Sequence, residues 1–240
     1  MSTHLWQGTW QGRSPAGDLH QRARKVISPS GGIMRGKFSS HKNGRMVHHE
    51  GLLELDAIYL FETSPRIVRY REQPTTIFYP DGARLRRYTP DFELLLTTGE
   101  LVLIEVKPLN RRRDPEVQHK LGCISTQLER SSQQFVVLSE DVLRLEPRQA
   151  NLREAYHRVP RVPISPGAMR AVIDRYGRFF PMTLGDACSL LARSGVDPYS
   201  LLLSGWVRCP LDTPINTGTI LSLVEEDSDA WFCITHQHGF

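Results

Sequence analysis

The chain has 240 residues and a formal net charge of +4, so it can form one large domain or two small ones, each with a buried core. No apolar run approaches the roughly 20 residues that cross a bilayer, and no start resembles a secretion signal. These features argue against export or membrane insertion and predict a cytoplasmic protein. The cysteines (Cys123, Cys188, Cys209 and Cys233) include no Cys-x-x-Cys pair, which favours reduced thiols over a zinc site or a disulfide framework.

Positive charge is concentrated in the first 45 residues. They contain eight lysines and arginines against Asp18 alone, a formal charge of +7, so the rest of the chain carries −3. The segment is rich in Gly, Ser and Pro and has little apolar periodicity, which predicts a flexible basic arm over residues 1–45. Such an arm can lie along a phosphate backbone or simply solvate the protein, and charge alone does not separate the two.

After the arm, apolar residues recur at helical spacing and predict an amphipathic helix from His48 to Glu62. Pro65 cannot continue a helix and therefore sets its end. Glu54 lies near the apolar face of this helix. It is either a solvent-facing residue or a carboxylate delivered to a site on neighbouring strands, and the helical pattern by itself favours the former.

The middle of the chain alternates between strand and helix patterns. A helix is predicted from Asp114-Pro115 to about Arg130, and another begins at Asp141. This order predicts a mixed α/β sheet flanked by helices, within a domain that we place at residues 46–157. The predicted strands are Arg66–Gln73, Thr75–Tyr79, Arg84–Leu96, Leu101–Lys107 and Phe135–Leu138.

Charged side chains lie where two of these strands meet. The strand Leu101–Lys107 is apolar on both faces through Ile104, as expected of a central strand, yet Glu105 and Lys107 share one face at its end. Asp91, fixed by the preceding proline, can lie beside them on the adjacent strand. Carboxylates on adjacent strands can hold hydrated Mg²⁺, with Mn²⁺ as a substitute, and a lysine can orient or help deprotonate a metal-bound water. A Glu-x-Lys tripeptide alone favours a salt bridge at the rim of a hairpin, and the Pro-Asp and the Gly turn before it make the two interpretations equally consistent with the sequence.

Several basic residues are candidates for contacts with DNA phosphates. The arginines that follow the strand Leu101–Lys107 are best placed, because they come directly after the candidate lysine. The candidates are Arg111, Arg112, Arg113, Arg86, Arg87 and Lys37.

The last third of the chain has a different organisation. Three prolines within residues 158–166 predict a linker, and residues 167–240 predict a separate small domain. Three short helical patterns followed by two strands predict a winged-helix-like arrangement. Its second helix, Thr183–Ser194, carries Arg193 as its only cation, so contact with a protein is favoured slightly over readout of a DNA groove.

Four segments in order carry a family resemblance: Leu53–Glu62, Ile67–Pro74, Tyr88-Thr-Pro-Asp-Phe92 and Ile104-Glu-Val-Lys-Pro108. Together they resemble the TnsA family, the endonuclease subunits of heteromeric transposases in Tn7-type transposons, which have the restriction-endonuclease-like PD-(D/E)xK fold. The resemblance spans roughly Gly36 to Leu138. It implies that Glu54 is the family's helix-borne metal-site glutamate, Asp91 its aspartate and Lys107 its catalytic lysine. Some family members have Gln at the position of Glu105.

The resemblance also implies a function in the bacterial cytoplasm. We expect a Mg²⁺-dependent endonuclease that cuts the non-transferred strand at transposon ends. Its expected partners are double-stranded DNA, a DDE-type transposase subunit and, through the C-terminal domain, an AAA+ ATPase. Two alternatives remain open: a stand-alone restriction or repair nuclease of the same fold, and a non-catalytic module that binds DNA or a partner.

Overall fold

The computed structural model describes residues 35–225 without a gap, together with residues 20, 22, 23, 232–235, 238 and 240. The chain divides into two compact units. The first lies within Met1–Glu62 and Ile67–Leu143, and the second within Thr63–Arg66 and Arg144–Phe240. Among the described residues, no helix is both long and apolar enough to cross a membrane.

The first unit contains the predicted mixed sheet. Its four strands are ordered β3-β6-β7-β8, where β7 is central and pairs antiparallel with β6 but parallel with β8. The prediction of a mixed sheet flanked by helices is confirmed. The strands of this sheet are β3 Ile67–Glu72, β6 Phe92–Leu96, β7 Leu101–Val106 and β8 Gln134–Leu138.

Helices flank this sheet in the order of the chain. Helix α1 is Leu52–Thr63, and a short helix α2, Leu109–Arg112, follows the central strand. Helix α3, Pro115–Glu129, begins as predicted, because the Asp114 side chain accepts a hydrogen bond from the Glu116 backbone at 2.9 Å. The first unit ends with helix α4, Glu140–Leu143.

Two hairpins complete the first unit and correct the sequence predictions. Residues 35–45 were expected in a flexible arm, but strands β1 Arg35–Ser40 and β2 Arg45–Glu50 pair antiparallel. The other described residues of that arm are 20, 22 and 23, and the remainder lies outside the described residues. The prediction of a helix from His48 is also wrong, since β2 continues to Glu50. The chain then passes through Gly51, whose φ of +132° suits a glycine, before α1 begins.

The predicted strand Arg84–Leu96 is two strands in different sheets. Strand β5, Arg84–Tyr88, pairs with β4, Ile77–Asp81, in a separate hairpin, whereas β6 starts only at Phe92. Pro90 lies in the break and cannot donate a backbone hydrogen bond to a sheet, so the chain leaves one sheet and enters the next around it. The side chain of Asp91 lies at this break.

The second unit begins earlier in the chain than the domain boundary predicted from the sequence. Residues up to 157 were predicted to belong to the nuclease domain, whereas helix α5, Arg148–Arg158, lies in the second unit. The side chain of Asn151 explains this placement, because it donates to the Thr213 carbonyl at 2.8 Å and accepts from the Ile215 backbone at 2.9 Å. Residues 159–165, within the predicted linker, form neither helix nor strand.

The rest of the second unit has the predicted helices. They are α6 Pro166–Tyr176, α7 Leu184–Leu191 and α8 Pro198–Leu203. Strands β10 Val207–Arg208 and β11 Ile220–Leu223 were predicted, and β9 Met182–Thr183 was not. These strands form a three-stranded antiparallel sheet in the order β10-β11-β9.

Candidate active site

The antiparallel pairing of β6 and β7 brings Asp91 to the end of the central strand. Phe92, the first residue of β6, lies opposite Ile104, so Asp91 is next to the segment that carries Glu105 and Lys107. The backbone N–H of Val106 donates a hydrogen bond to Asp91 Oδ2 at 2.9 Å. This contact fixes the aspartate across the two strands and leaves its Oδ1 as the oxygen available for a ligand.

Asp91 is buried among other carboxylates. It is only 8% exposed. Burial raises the pKa of Asp91 well above its usual range, the charges of Glu105 and Glu54 raise it further, and Lys107 opposes the shift. The structure therefore brings all four predicted residues into one electrostatic cluster, in which negative charges outnumber the positive charge.

Glu105 is held by two partners. Its side chain is 3% exposed, and its Oε1 lies 2.6 Å from Lys107 Nζ. Its Oε2 accepts a hydrogen bond of 2.5 Å from the Tyr88 hydroxyl. Burial and then the charge of Glu105 raise the pKa of Tyr88 above its usual range, so the phenol remains a protonated donor.

Lys107 remains charged in this setting. Burial lowers the pKa of the ammonium, but the charges of Glu105 and Asp91 outweigh it and the net shift is upward. The side chain is 30% exposed, more than that of Glu105. Lys107 is therefore a partly exposed, charged hydrogen-bond donor next to buried carboxylates.

Glu54 is positioned by the first turn of α1. It is half-buried, and its Oε2 accepts a hydrogen bond from the Glu50 backbone N–H at 2.7 Å. That contact joins the end of β2 to the start of the helix. The charge of Glu54 acts on both Asp91 and Lys107, as the resemblance implied for a helix-borne glutamate.

The side chains of this cluster fit a divalent metal ion. The donor set is all oxygen, from Glu54, Asp91 and Glu105, which suits Mg²⁺ or Mn²⁺. A dication would also relieve the repulsion that raises the pKa of Asp91. Both oxygens of Glu105 are engaged by Tyr88 and Lys107, so Asp91, which has Oδ1 besides the oxygen held by Val106, is the better placed ligand.

A comparison with protein-family models gives a match within the chain. Residues 64–140 match the model described as TnsA-like endonuclease N terminal. This segment is similar to a TnsA-like endonuclease domain. A search of curated proteins returned no match.

The TnsA-like segment contains Asp91, Glu105 and Lys107, whereas Glu54 precedes it. A TnsA-like endonuclease domain indicates a nuclease role in Tn7-like transposition, with DNA as substrate and a transposase as partner. The assignment of Glu54 depends instead on the effect of its charge on Asp91 and Lys107.

The candidate DNA-binding residues of the TnsA-like domain are exposed. Arg111 and Arg112 end helix α2 and Arg113 follows it, directly beyond Lys107. Arg86 and Arg87 lie on the exposed strand β5, where Arg86 pairs with Asp81. Lys37 is exposed on β1, which precedes the matched segment.

Sequence reasoning missed the role of Tyr88 in this TnsA-like site. The residue belongs to the Tyr-Thr-Pro-Asp-Phe segment of the resemblance but was given no function. A signal was present, because Tyr88 is the only non-basic residue besides Leu85 in the sequence Arg-Leu-Arg-Arg-Tyr of β5. It is also the only buried residue of that strand.

Proposed function

We propose that the chain is a Mg²⁺-dependent endodeoxyribonuclease that cuts the non-transferred strand at transposon ends, acting beside a DDE-type transposase and an AAA+ ATPase. The observation that carries this proposal is the clustering of Glu54, Asp91, Glu105 and Lys107 around the end of β7. The match to a TnsA-like endonuclease domain supports the substrate and the context.

Asp91 and Glu54 would hold the metal. Asp91 offers Oδ1, while its Oδ2 is fixed by the Val106 backbone, and Glu54 approaches from the helix. When bound, Mg²⁺ supplies a water of lowered pKa and stabilises negative charge on the scissile phosphate. The burial of Asp91 keeps its carboxylate in a fixed geometry, which is what positioning of a reacting phosphate requires.

Lys107 would orient the attacking water or hold charge on the phosphate. Its ammonium is kept protonated by Glu105 and is accessible enough to meet a substrate. Glu105 in turn is fixed by the Tyr88 hydroxyl. In this arrangement Glu105 positions the lysine, and Tyr88 positions Glu105.

The exposed arginines would bind the DNA backbone near the site. Arg112 and Arg113 line a groove of about 490 Å³ beside helix α3. None of the four clustered residues lines that groove, which is therefore separate from the proposed site of chemistry. Replacing an arginine that neutralises a phosphate should flatten the salt dependence of DNA binding, with a slope smaller by about 0.9 for each arginine replaced.

For the second unit we propose a winged-helix-like domain that contacts the ATPase. The order α6, β9, α7, α8, β10, β11 supports this arrangement. Helix α7 carries the acidic Asp186 in its first turn and no basic residue in its last turn, which disfavours a helix that reads DNA. A photo-crosslinker attached to the exposed Cys188 should therefore label the ATPase, and labelling of DNA alone would contradict the proposal.

Strand-specific cleavage tests the proposed reaction. Donor DNA with transposon ends, labelled separately on each strand, is incubated with the chain, Mg²⁺ and the co-encoded transposase. We expect cuts on the non-transferred strand that are lost in Asp91→Asn and retained in Asp141→Asn, an exposed acidic control. Efficient site-specific cleavage by the chain alone would favour a stand-alone nuclease instead.

The insertion products in cells test the role of the second cut. If this chain cuts the strand that the transposase does not, Asp91→Asn should leave joining intact and convert simple insertions into cointegrates. Long-read sequencing of the products measures the ratio. Persistence of simple insertions in the Asp91→Asn strain would show that another nuclease makes the cut.

A further inference from the structure

Three potential metal ligands meet on the surface of the first unit, away from the carboxylate cluster. Asp81 comes from the end of β4, whereas His119 and Cys123 come from α3. One ligand atom from each lies within 4.8 Å of the other two. His119 and Cys123 are four positions apart, so the helix places them on the same face.

The contacts within this cluster do not form a hydrogen-bonded relay. Asp81 Oδ1 lies 2.9 Å from His119 Nε2, and Cys123 Sγ lies 3.7 Å from the same nitrogen. In a Cys-His-Asp relay the thiol and the carboxylate contact opposite ring nitrogens. Here the carboxylate and the thiol both lie near the same ring nitrogen. The three atoms therefore surround a common point, as ligands around a metal ion do.

The distances are close to those of a tetrahedral site. Zinc bonds of about 2.0–2.3 Å place neighbouring ligand atoms roughly 3.3–3.6 Å apart. The observed separations of 2.9 Å and 3.7 Å lie on either side of that range. Small rotations of the exposed His119 side chain would bring both into it.

The surroundings leave the ligand atoms accessible. Arg86 pairs with the other oxygen of Asp81, Oδ2, so Oδ1 remains directed at the helix. An open groove of about 340 Å³ is lined by His119 and Cys123, which leaves room for a water as the fourth ligand. Thiolate, imidazole and carboxylate together favour Zn²⁺ over Mg²⁺.

We propose that Asp81, His119 and Cys123 form a binding site for a zinc-class divalent cation that joins the β4–β5 hairpin to helix α3. This inference is independent of the proposed function, because it uses none of the residues of the carboxylate cluster. Binding would displace the proton of the Cys123 thiol and use the lone pair of His119 Nε2.

Such a cation would restrain the strand that carries Tyr88. Strand β5 begins at Arg84, opposite Asp81, and ends at Tyr88, which donates to Glu105. Tyr88 also packs in one apolar cluster with Ile124 of α3. A cation at Asp81 therefore fixes the end of the hairpin that is distant from the Tyr88 contact.

Cobalt substitution tests the site on the full chain. Co²⁺ is titrated in excess Mg²⁺, which fills oxygen-only sites, and the thiolate-to-cobalt absorption band is recorded. We expect a band that is abolished by Cys123→Ser and unchanged in Cys188→Ser, an exposed cysteine of the second unit. His119→Ala and Asp81→Asn should each weaken Co²⁺ binding at least tenfold, while melting without metal shows that each variant is folded.

Hydrogen exchange gives a second readout that does not depend on activity. Zn²⁺ should increase protection in residues 77–88 and 115–124 of the wild type and not of Cys123→Ser. Absence of the cobalt band in the wild type, or its retention in Cys123→Ser, would overturn the site. Unchanged affinity in Asp81→Asn would also overturn it, since the proposed cation joins the hairpin to the helix through that residue.

Discussion

Two charged clusters in the first unit use similar residues for opposite purposes. Around Asp91, carboxylates outnumber the ammonium of Lys107, and the pKa of Asp91 is raised. Around Glu72, the cations are in excess. Arg45 binds Glu72 through two contacts of 3.0 Å and 2.7 Å, and Arg22 adds a third at 2.6 Å.

The opposite pKa shifts express this difference. Burial alone would raise the pKa of Glu72, but the hydrogen bonds and charge of Arg45 and the charge of Arg22 lower it to about 2. Burial and the nearby Arg22 lower the pKa of His48 to about 4, despite the opposing charge of Glu72. A cluster that is electrostatically satisfied within the protein stabilises the fold, whereas one with excess negative charge is ready for a cation.

The largest expected effect follows from removing the aspartate. Asp91→Asn should lower strand cleavage by about 1,000-fold or more, since metal stabilisation of the transition state is worth several kcal/mol. The melting temperature without metal should stay the same or rise, because the variant removes a buried repulsion. Cleavage assays and calorimetry on one preparation measure both, and a large loss of stability would assign Asp91 to the fold instead.

Glu72→Gln should show the reverse pattern. It removes the charge that pairs with the buried Arg45 and should cost about 3–5 kcal/mol of unfolding free energy. Cleavage per folded molecule should be unchanged. Glu93→Gln is the matched control, because its pair with Arg71 is partly exposed and worth about 0–1 kcal/mol. Equal destabilisation of the two variants in urea would contradict the structural role of Glu72.

The stability contributions of the two clusters should depend on pH in opposite directions. The lowered pKa of Glu72 contributes stability that is present above its ordinary value of 4.5 and is lost as pH falls towards about 2. The raised pKa of Asp91 has the opposite sign, so its contribution is lost as pH rises through the raised pKa. Without metal, the stability gap between Asp91→Asn and wild type should therefore widen as pH rises. Denaturant titrations across pH measure this gap. A gap that narrows as pH rises would contradict the predicted sign of the Asp91 contribution.

The smallest expected effect is that of the positioning tyrosine. Tyr88→Phe keeps the ring in its apolar cluster and removes only the hydroxyl that donates to Glu105. A hydrogen bond to a charged group is worth about 1.5–3 kcal/mol, so turnover should fall roughly 10- to 100-fold. The loss should appear in kcat more than in KM, with a shifted pH profile. A change in KM alone would contradict the proposed positioning role of Tyr88.

The sequence predicted the central strand and its charged end because both depend on local order. Alternation and the apolar run of Leu101–Ile104 locate β7, and the prolines and turns locate its neighbours. The Glu72–Arg45 pair was not predictable, since these residues are 27 positions apart and no local pattern links them. The cluster of Asp81 with His119 was missed for the same reason, as 38 positions separate them.

Errors in the predicted elements have local physical causes. Apolar residues recur at helical spacing from His48 to Glu62, yet the pairing of β1 with β2 extends the strand to Glu50. Tertiary pairing overrides periodicity in such a short segment. The +7 charge of residues 1–45 likewise gave no sign that Arg22 and Arg45 are engaged by a buried glutamate.

Direct titration of Mn²⁺ tests the central claim, that the Asp91 cluster is a cation site. Calorimetry on the wild type should show binding that is abolished by Asp91→Asn and strongly weakened by Glu54→Gln. Cys123→Ser should leave that binding intact, which separates it from the second proposed site. Mn²⁺ binding that persists unchanged in a folded Asp91→Asn protein would contradict the account.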